Sequence, residues 1–376
     1  MLAKVRFFSL FHRFNKYLAV EAVMNKVVFL KHCKHSIFFI SDTNRISGLR
    51  MNTLYPLKFA PVFKEKIWGG RKVRTLFGQD FTPLRNCGES WVLSGYPGNV
   101  SVVSNGFLKG NDLNELIEVY MSDLVGDKVF QQFGNEFPLL IKLIDANDWL
   151  SIQVHPDDQM ARKKGFPNGK TEMWYVVQAD EGAEIISGFN RDITREEYLH
   201  CMENKTLKSI LNVEKAKGGD VFFMPAGRVH AMGPGLLIAE IQQSSDLTYR
   251  IYDFDRVDDK GMMRELHTDL ALDAADFKHY DSYRTAYDKV FNKTVNLVNA
   301  EYFSTSLIHF GTPVVKDYSA VDSFVALFCV EGSCVIGYED GSEILKGGEV
   351  ALVPAGSENI TLIPQGEARI LEIYVP

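Results

Sequence analysis

The chain has 376 residues, 46% hydrophobic and 24% charged, an ordinary globular balance that allows two or three structural units with sizeable cores. A net charge of −7, with no basic stripe interleaved with aromatics in the main body, argues against a nucleic-acid binder. Five cysteines (Cys33, Cys87, Cys201, Cys329, Cys334) are an odd number without a Cys-x-x-Cys pair; they argue against a disulfide framework and point to reduced thiols in a cytoplasm.

The charge is uneven. Residues 1–50 hold nine Lys/Arg against Glu21 and Asp42, a balance of +7 that leaves −14 on the remainder. Their apolar runs, Phe7–Phe11 and Ile37–Ile40, are too often interrupted by Lys, Arg and His for a spanning helix. A basic targeting or membrane-surface arm is one reading. The expectation adopted is an upstream extension outside the fold, because Met51-Asn-Thr-Leu-Tyr-Pro-Leu resembles a natural protein start.

From Leu57 to Val103, short apolar runs alternate with turn residues such as Trp68-Gly-Gly and Cys87-Gly-Glu-Ser, which predicts several strands. The 26 Phe and 15 Tyr, with many Val and Ile, favour sheet as well. Asp112, with Glu115 three residues on and apolar residues at helical spacing, predicts a helix start. Residues 138–144 (PLLIKLI) read as a buried strand. Thr194-Arg-Glu-Glu197 is a capping box that opens a second helix. Strand-like runs surround it at Trp174–Val177, Glu184–Gly188, Val221–Met224 and Leu236–Gln242, and from about 297 onward only short strands and Gly turns follow.

One repeat is visible. Lys217-Gly-Gly-Asp-Val-Phe-Phe-Met-Pro-Ala-Gly227 recurs as Lys346-Gly-Gly-Glu-Val-Ala-Leu-Val-Pro-Ala-Gly356: a turn, a half-buried strand and a second turn. Three residues beyond, the first copy has His230 and the second Asn359, so two similar β-units carry one active site between them.

Three segments offer chemistry. In Ser151-Ile-Gln-Val-His-Pro-Asp-Asp158, strand alternation puts Gln153 and His155 on one face. Gly169-Lys-Thr-Glu-Met-Trp174 offers Glu172, and Gly219-x5-Pro-x-Gly-x2-His ends on His230. Two imidazoles and a carboxylate suit zinc or a similar metal with a position open to substrate, and Gln153 is the least usual fourth ligand. Each residue alone has a plainer reading: a hydrogen-bonded histidine, a turn after a strand, a solvated strand-end carboxylate. Their combination is what points to a metal.

The third segment resembles the second motif of cupin barrels. The first departs from theirs, with Gln153 in place of a His and 16 residues between His155 and Glu172. The string LSIQVHPDD at 150–158 is closer to the zinc-dependent type I mannose-6-phosphate isomerases, and the resemblance runs from about Leu57 to Pro376, most like the short bacterial members. It implies a mainly β fold: a cupin-type jelly-roll β-sandwich with helical insertions over 51–296, and a smaller β domain with the degenerate repeat over 297–376.

The resemblance also implies one zinc per chain on Gln153, His155, Glu172 and His230. Lys170, Asp246 and Arg250 match further family positions. The implied reaction interconverts mannose 6-phosphate and fructose 6-phosphate through a metal-stabilised cis-enediol(ate), with Arg250 and Lys170 spreading charge. Asp246 and Glu240 are the candidate bases. Ser151, Lys170 and Arg256 are the candidate phosphate contacts. Asp246 reads equally as a turn residue or partner of Arg250, and Arg256 as part of a solvated charged loop. Longer members carry His-Lys-Pro-Glu where this chain has Gly169-Lys-Thr-Glu172, and their Arg-x-Gly-Leu-Thr-Pro-Lys stretch is replaced by Arg250–Arg256. The rival functions are another metal-dependent cupin enzyme, such as an iron dioxygenase, and a sugar-binding cupin without catalysis. A sugar phosphate is the implied partner, with neither nucleic acid nor membrane.

Overall fold

Strand alternation in the first two-thirds of the chain sorts side chains into three layers. The computed structural model describes residues 53–258 and 260–376; the expected extension over 1–50 lies outside the described residues. Six antiparallel strands form one sheet in the order Val221–Met224, Glu172–Ala179, Leu236–Gln243, Leu139–Ala146, Glu89–Ser94 and Val62–Lys64. Five more form a second sheet: Tyr249–Tyr252, Ile152–Val154, His230–Met232, Glu184–Phe189 and Leu211–Lys215.

Between these sheets lies a core that includes Ile144, Trp174, Val176, Ile185, Met232, Leu236 and Ile238. Along Leu236–Gln243 the residues facing this core run Leu236, Ile238, Glu240, Gln242, so the sandwich interior is apolar at one end and polar at the other. The alternate residues Leu237, Ala239 and Ile241 face a separate core, shared with the C-terminal strands. The same rule divides Ile152–Val154. Ile152 and Val154, both fully buried, pack outward with Tyr198 and Ala271 from helices Arg195–Glu203 and Thr268–Ala274. Gln153 is left pointing into the sandwich. Burial of each of these apolar side chains is worth about 1.5–3 kcal/mol, and a one-residue slip would turn both into the polar end of the sandwich and Gln153 against the helices.

Helix starts follow their caps. Leu113–Val125 begins where Asp112 accepts from Glu115 N at 2.8 Å, and Arg195–Glu203 where Thr194 accepts from Glu197 N at 3.2 Å. The insertion after His155 contains a short helix, Asp158–Lys163, that periodicity did not reveal.

The C-terminal segment folds as two further sheets. The seven-stranded one runs Lys293–Asn299, Ser304–Phe310, Ala368–Tyr374, Val325–Glu331, Val350–Val353, Leu57–Ala60 and Val102–Val103. Its strand Leu57–Ala60 comes from the other end of the described chain, with Leu57 opposite Leu352. The partition drawn at 296 is therefore crossed by this strand and by Val102–Val103. The two copies of the repeat adopt one geometry. Lys217 N donates to Asp220 Oδ2 and Lys346 N to Glu349 Oε2, each at 2.9 Å, and Gly219 and Gly348 take φ of 86° and 82°, open to glycine. The Pro-Ala-Gly turns then diverge in use. Gly227 N donates to His155 O at 2.9 Å, whereas Gly356 N donates to Asp123 O at 3.0 Å, so the second copy's turn holds the C-terminal segment to a helix end.

Candidate active site and metal centre

The polar end of the sandwich is assembled from cross-strand rows. On the five-stranded sheet, Arg250 lies opposite Gln153, Gln153 opposite His230, and His230 opposite Ser187, so all four project from one face. On the facing sheet, Trp174, Glu240, Lys142 and Trp91 form a second row, with Glu172 two residues before Trp174 on the same side.

His155, Glu172 and His230 meet where the rows converge, their ligand atoms all within 4.8 Å of one another. Glu172 Oε2 is 3.5 Å from His155 Nε2 and Glu172 Oε1 is 3.4 Å from His230 Nε2. His155 Nδ1 lies 2.9 Å from Leu247 O and His230 Nδ1 2.8 Å from Arg228 O. These carbonyls fix the protons on Nδ1 and leave both Nε2 lone pairs facing Glu172. The Gln153 amide stands 3.3 Å from His230 Nε2 and takes the Ser151 hydroxyl at 3.3 Å. All three residues of the triad are buried. Burial and the nearby Lys170 ammonium push the His155 imidazole down to about 3; burial lowers that of His230 too.

Charge is dense around the triad. Lys170 Nζ donates to Glu172 Oε2 at 2.5 Å and to His155 Nε2 at 3.0 Å. Burial alone would raise the Glu172 pKa; the Lys170 ammonium reverses this and holds it well below the usual carboxylate range. Trp174 Nε1 divides between Glu172 Oε1 at 3.0 Å and Glu240 Oε2 at 3.1 Å. Glu240 lies 3.3 Å from Lys142 and 4.0 Å from Lys170. Burial, with Glu172 beside it, raises the Glu240 pKa against the pull of both lysines.

The remaining sequence candidates lie further out. Arg250 is half-buried; its Nη1 donates to Glu265 O at 2.8 Å, and its buried Nε has no hydrogen-bond partner among the described residues. Asp246 is exposed, its carboxylate acting on Lys142 and Lys64 through space. Arg256 is engaged by Asp253 at 2.6 Å, Asp148 at 3.5 Å and the Trp149 carbonyl. Sequence reasoning missed Lys142 and Trp174, whose contacts with Glu240 and Glu172 bring them into the pocket. A lysine inside the apolar run 138–144 was the available signal for the first.

The donor set fits a metal: two neutral imidazoles whose unprotonated Nε2 atoms face an ionised carboxylate, with an amide alongside, in a buried polar pocket. A candidate three-residue metal site between the two sheets of a β-sandwich is the arrangement of a cupin-type protein. Comparison with known proteins narrows the class. A profile described as phosphomannose isomerase type I, catalytic domain, matches residues 56–191, and one for the mannose-6-phosphate isomerase cupin domain matches residues 293–375. A mannose-6-phosphate isomerase of Streptococcus mutans is 38% identical over 304 residues, 80% of this chain and 92% of the relative. The crystal structure of the mannose 6-phosphate isomerase from Bacillus subtilis superposes with a TM-score of 0.76 at 36% identity, covering 85% of this chain and 99% of that one. A phosphomannose isomerase from Salmonella typhimurium, at 18% identity and a TM-score of 0.70, covering 85% of this chain and all of that one, shares the fold. The chain belongs to the type I phosphomannose isomerase family.

Proposed function

We propose that this enzyme interconverts mannose 6-phosphate and fructose 6-phosphate, with one zinc ion held by Gln153, His155, Glu172 and His230. The observation that carries this reading is the buried His155–Glu172–His230 triad with Lys170 hydrogen-bonded into it, in a chain of this family. Zinc, when bound, supplies Lewis-acid polarisation of the sugar carbonyl, worth several kcal/mol.

The protein groups supply proton transfer and charge. Aldose–ketose exchange removes a proton from C2, passes through a cis-enediol and returns a proton to C1. Glu240 is the better placed of the two candidate carriers, since it lies within the pocket at 4.0 Å from Lys170 and shares the Trp174 N–H with Glu172. Exposed Asp246 has no such setting. Lys170 and Arg250 offset negative charge on the enediol oxygens, a role that gains strength in a site closed to bulk water. Arg250 keeps one buried guanidinium donor for a substrate oxygen. The phosphate contacts are assigned to Ser151 and Arg256, the latter exchanging its Asp148 contact for the ligand. We place the enzyme in the cytoplasm, where the buried unpaired Cys87, Cys201, Cys329 and Cys334 stay reduced; among the described residues no helix is long and apolar enough to cross a membrane.

A coupled assay of mannose 6-phosphate conversion tests the reading. Activity is expected to disappear with a chelator and return with zinc. A folded, zinc-loaded sample without activity would sink it and leave the family relation as one of fold. Activity that instead required iron and oxygen would favour the dioxygenase rival.

A further inference from the structure

Lys170 lies on the segment that returns from the Asp158–Lys163 helix to the strand starting at Glu172, and the reach of its ammonium depends on how that segment is held. One pair of side chains holds the peptide groups on both sides of it. Asp158 Oδ1 accepts from Gly169 N at 2.8 Å and from Gln243 Nε2 at 3.0 Å. Gln243 Oε1 in turn accepts from Thr171 N at 2.8 Å. The Lys170 N–H itself donates to Pro156 O at 3.0 Å. Gln243 is 4% exposed, so its two bonds are made away from competing solvent.

Asp158 is braced from its other side. Its Oδ2 takes the Tyr302 hydroxyl at 3.3 Å and an Arg162 guanidinium N–H at 3.2 Å. Burial and the Asp158 carboxylate push the Tyr302 hydroxyl up to about 12, in keeping with a phenol that donates to a carboxylate. Asp158 is not the cap of its own helix, because Asp157 accepts from Met160 N at 2.7 Å. Its carboxylate is thus free of the local task that a turn aspartate usually performs.

We propose that Asp158 is a positioning residue that, through Gln243, fixes the backbone around Lys170 and so aims its ammonium at Glu172 in the pocket, with Tyr302 of the C-terminal segment holding Asp158 in place. This rests on the isomerase reading of the site. It gives the C-terminal segment, which lacks the metal-site histidine, a part in the chemistry of the first.

The test uses the full zinc-loaded chain and the variants Asp158→Ala, Asp158→Asn, Gln243→Ala and Tyr302→Phe. Steady-state kinetics with mannose 6-phosphate, bound zinc, melting temperature and amide hydrogen exchange over residues 165–175 are measured for each. Misplacement of Lys170 by about an ångström predicts a kcat loss of about 10- to 100-fold in Asp158→Ala and Gln243→Ala, with KM within about threefold and bound zinc unchanged. Exchange at Gly169 and Thr171 should quicken in both. Asp158→Asn keeps an oxygen for both donors and should recover most of kcat; Tyr302→Phe should fall between. Wild-type exchange at Gly169 and Thr171 in Asp158→Ala, or a lowered melting temperature with kcat per zinc unchanged, would overturn the proposal. A wild-type enzyme without isomerase activity would count against the isomerase reading, while the exchange measurement still decides the bracing.

Discussion

The Lys142 ammonium lies 3.3 Å from Glu240 Oε1, and neither side chain is more than 5% exposed. Such a pair is costly to desolvate, so its expected contribution is to fix charge within the site more than to stabilise the fold. Removing one partner is different, because it leaves the other buried without its nearest counter-charge. Lys142→Met should cost about 3 kcal/mol in urea unfolding, with Glu240 left buried and held only by Lys170 at 4.0 Å and the Trp174 N–H. Lys142→Met combined with Glu240→Gln should regain a large part of that stability while activity stays low. An additive double variant would show that the two charges do not act as a pair.

Arg250 separates substrate handling from stability. It stands opposite Gln153 across the strand pair, yet its guanidinium is only half-buried and, among the described residues, its one side-chain bond is to Glu265 O. Arg250→Ala should therefore lower the melting temperature little and kcat/KM by about 100-fold or more, in line with loss of an electrostatic donor to a developing oxyanion. Arg250→Lys should restore only part, since a point charge does not reproduce the planar fork. Unchanged kcat/KM in Arg250→Ala, with bound zinc intact, would remove Arg250 from the catalytic site.

How far the sequence reads depends on the range of the interaction. Gln153 and His155 were legible because period-two alternation is local, and the capped starts at Asp112 and Thr194 because a cap is made within three residues. The repeat was legible, down to the unequal His230 and Asn359. The Lys142–Glu240 pair was not, since a lysine in an apolar run names no partner and the register that supplies Glu240 is set by the whole sheet. Leu57–Ala60 reads as a strand, but nothing near it states that its neighbour is Val350–Val353. The order of residues in chain and sheet diverges most where the core joins the two ends.

Gly169 explains one departure from the longer relatives in steric terms. A Cβ there would lie 2.5 Å from Asp157 C, 2.6 Å from Asp158 N and 2.7 Å from Pro156 O, all of them backbone atoms that cannot swing aside. Gly169→Ala should accordingly cost about 1–3 kcal/mol through overpacking. Activity should fall as well, because the displaced peptide is next to Lys170. Gly169→His, which copies the residue of the longer relatives, should be worse than Ala and should not raise kcat. A Gly169→His variant more active than the parent would show that the loop opens to place a histidine in the pocket.

Glu89 gives a pH dependence whose sign is fixed. Burial alone would raise its pKa, but the Lys142 and Lys66 ammonium groups, with Trp91 Nε1 donating at 2.7 Å, hold it at about 2. A carboxyl depressed in the folded state binds fewer protons there than in the unfolded chain between pH 4.5 and 2. Its stabilisation is complete above pH 4.5 and is lost as pH falls toward 2, up to roughly 3 kcal/mol for a shift of this size. Glu89→Gln should be less stable than the parent at pH 6, and the gap should narrow steadily as the two are unfolded in urea at pH 4.5, 3.5 and 2.5. The comparison isolates Glu89 because the other carboxyl groups titrate in both proteins. A gap that stayed constant across this range would mean that the folded-state Glu89 titrates like an ordinary surface carboxylate, and that its bonds to Lys66 and Trp91 do not hold in solution.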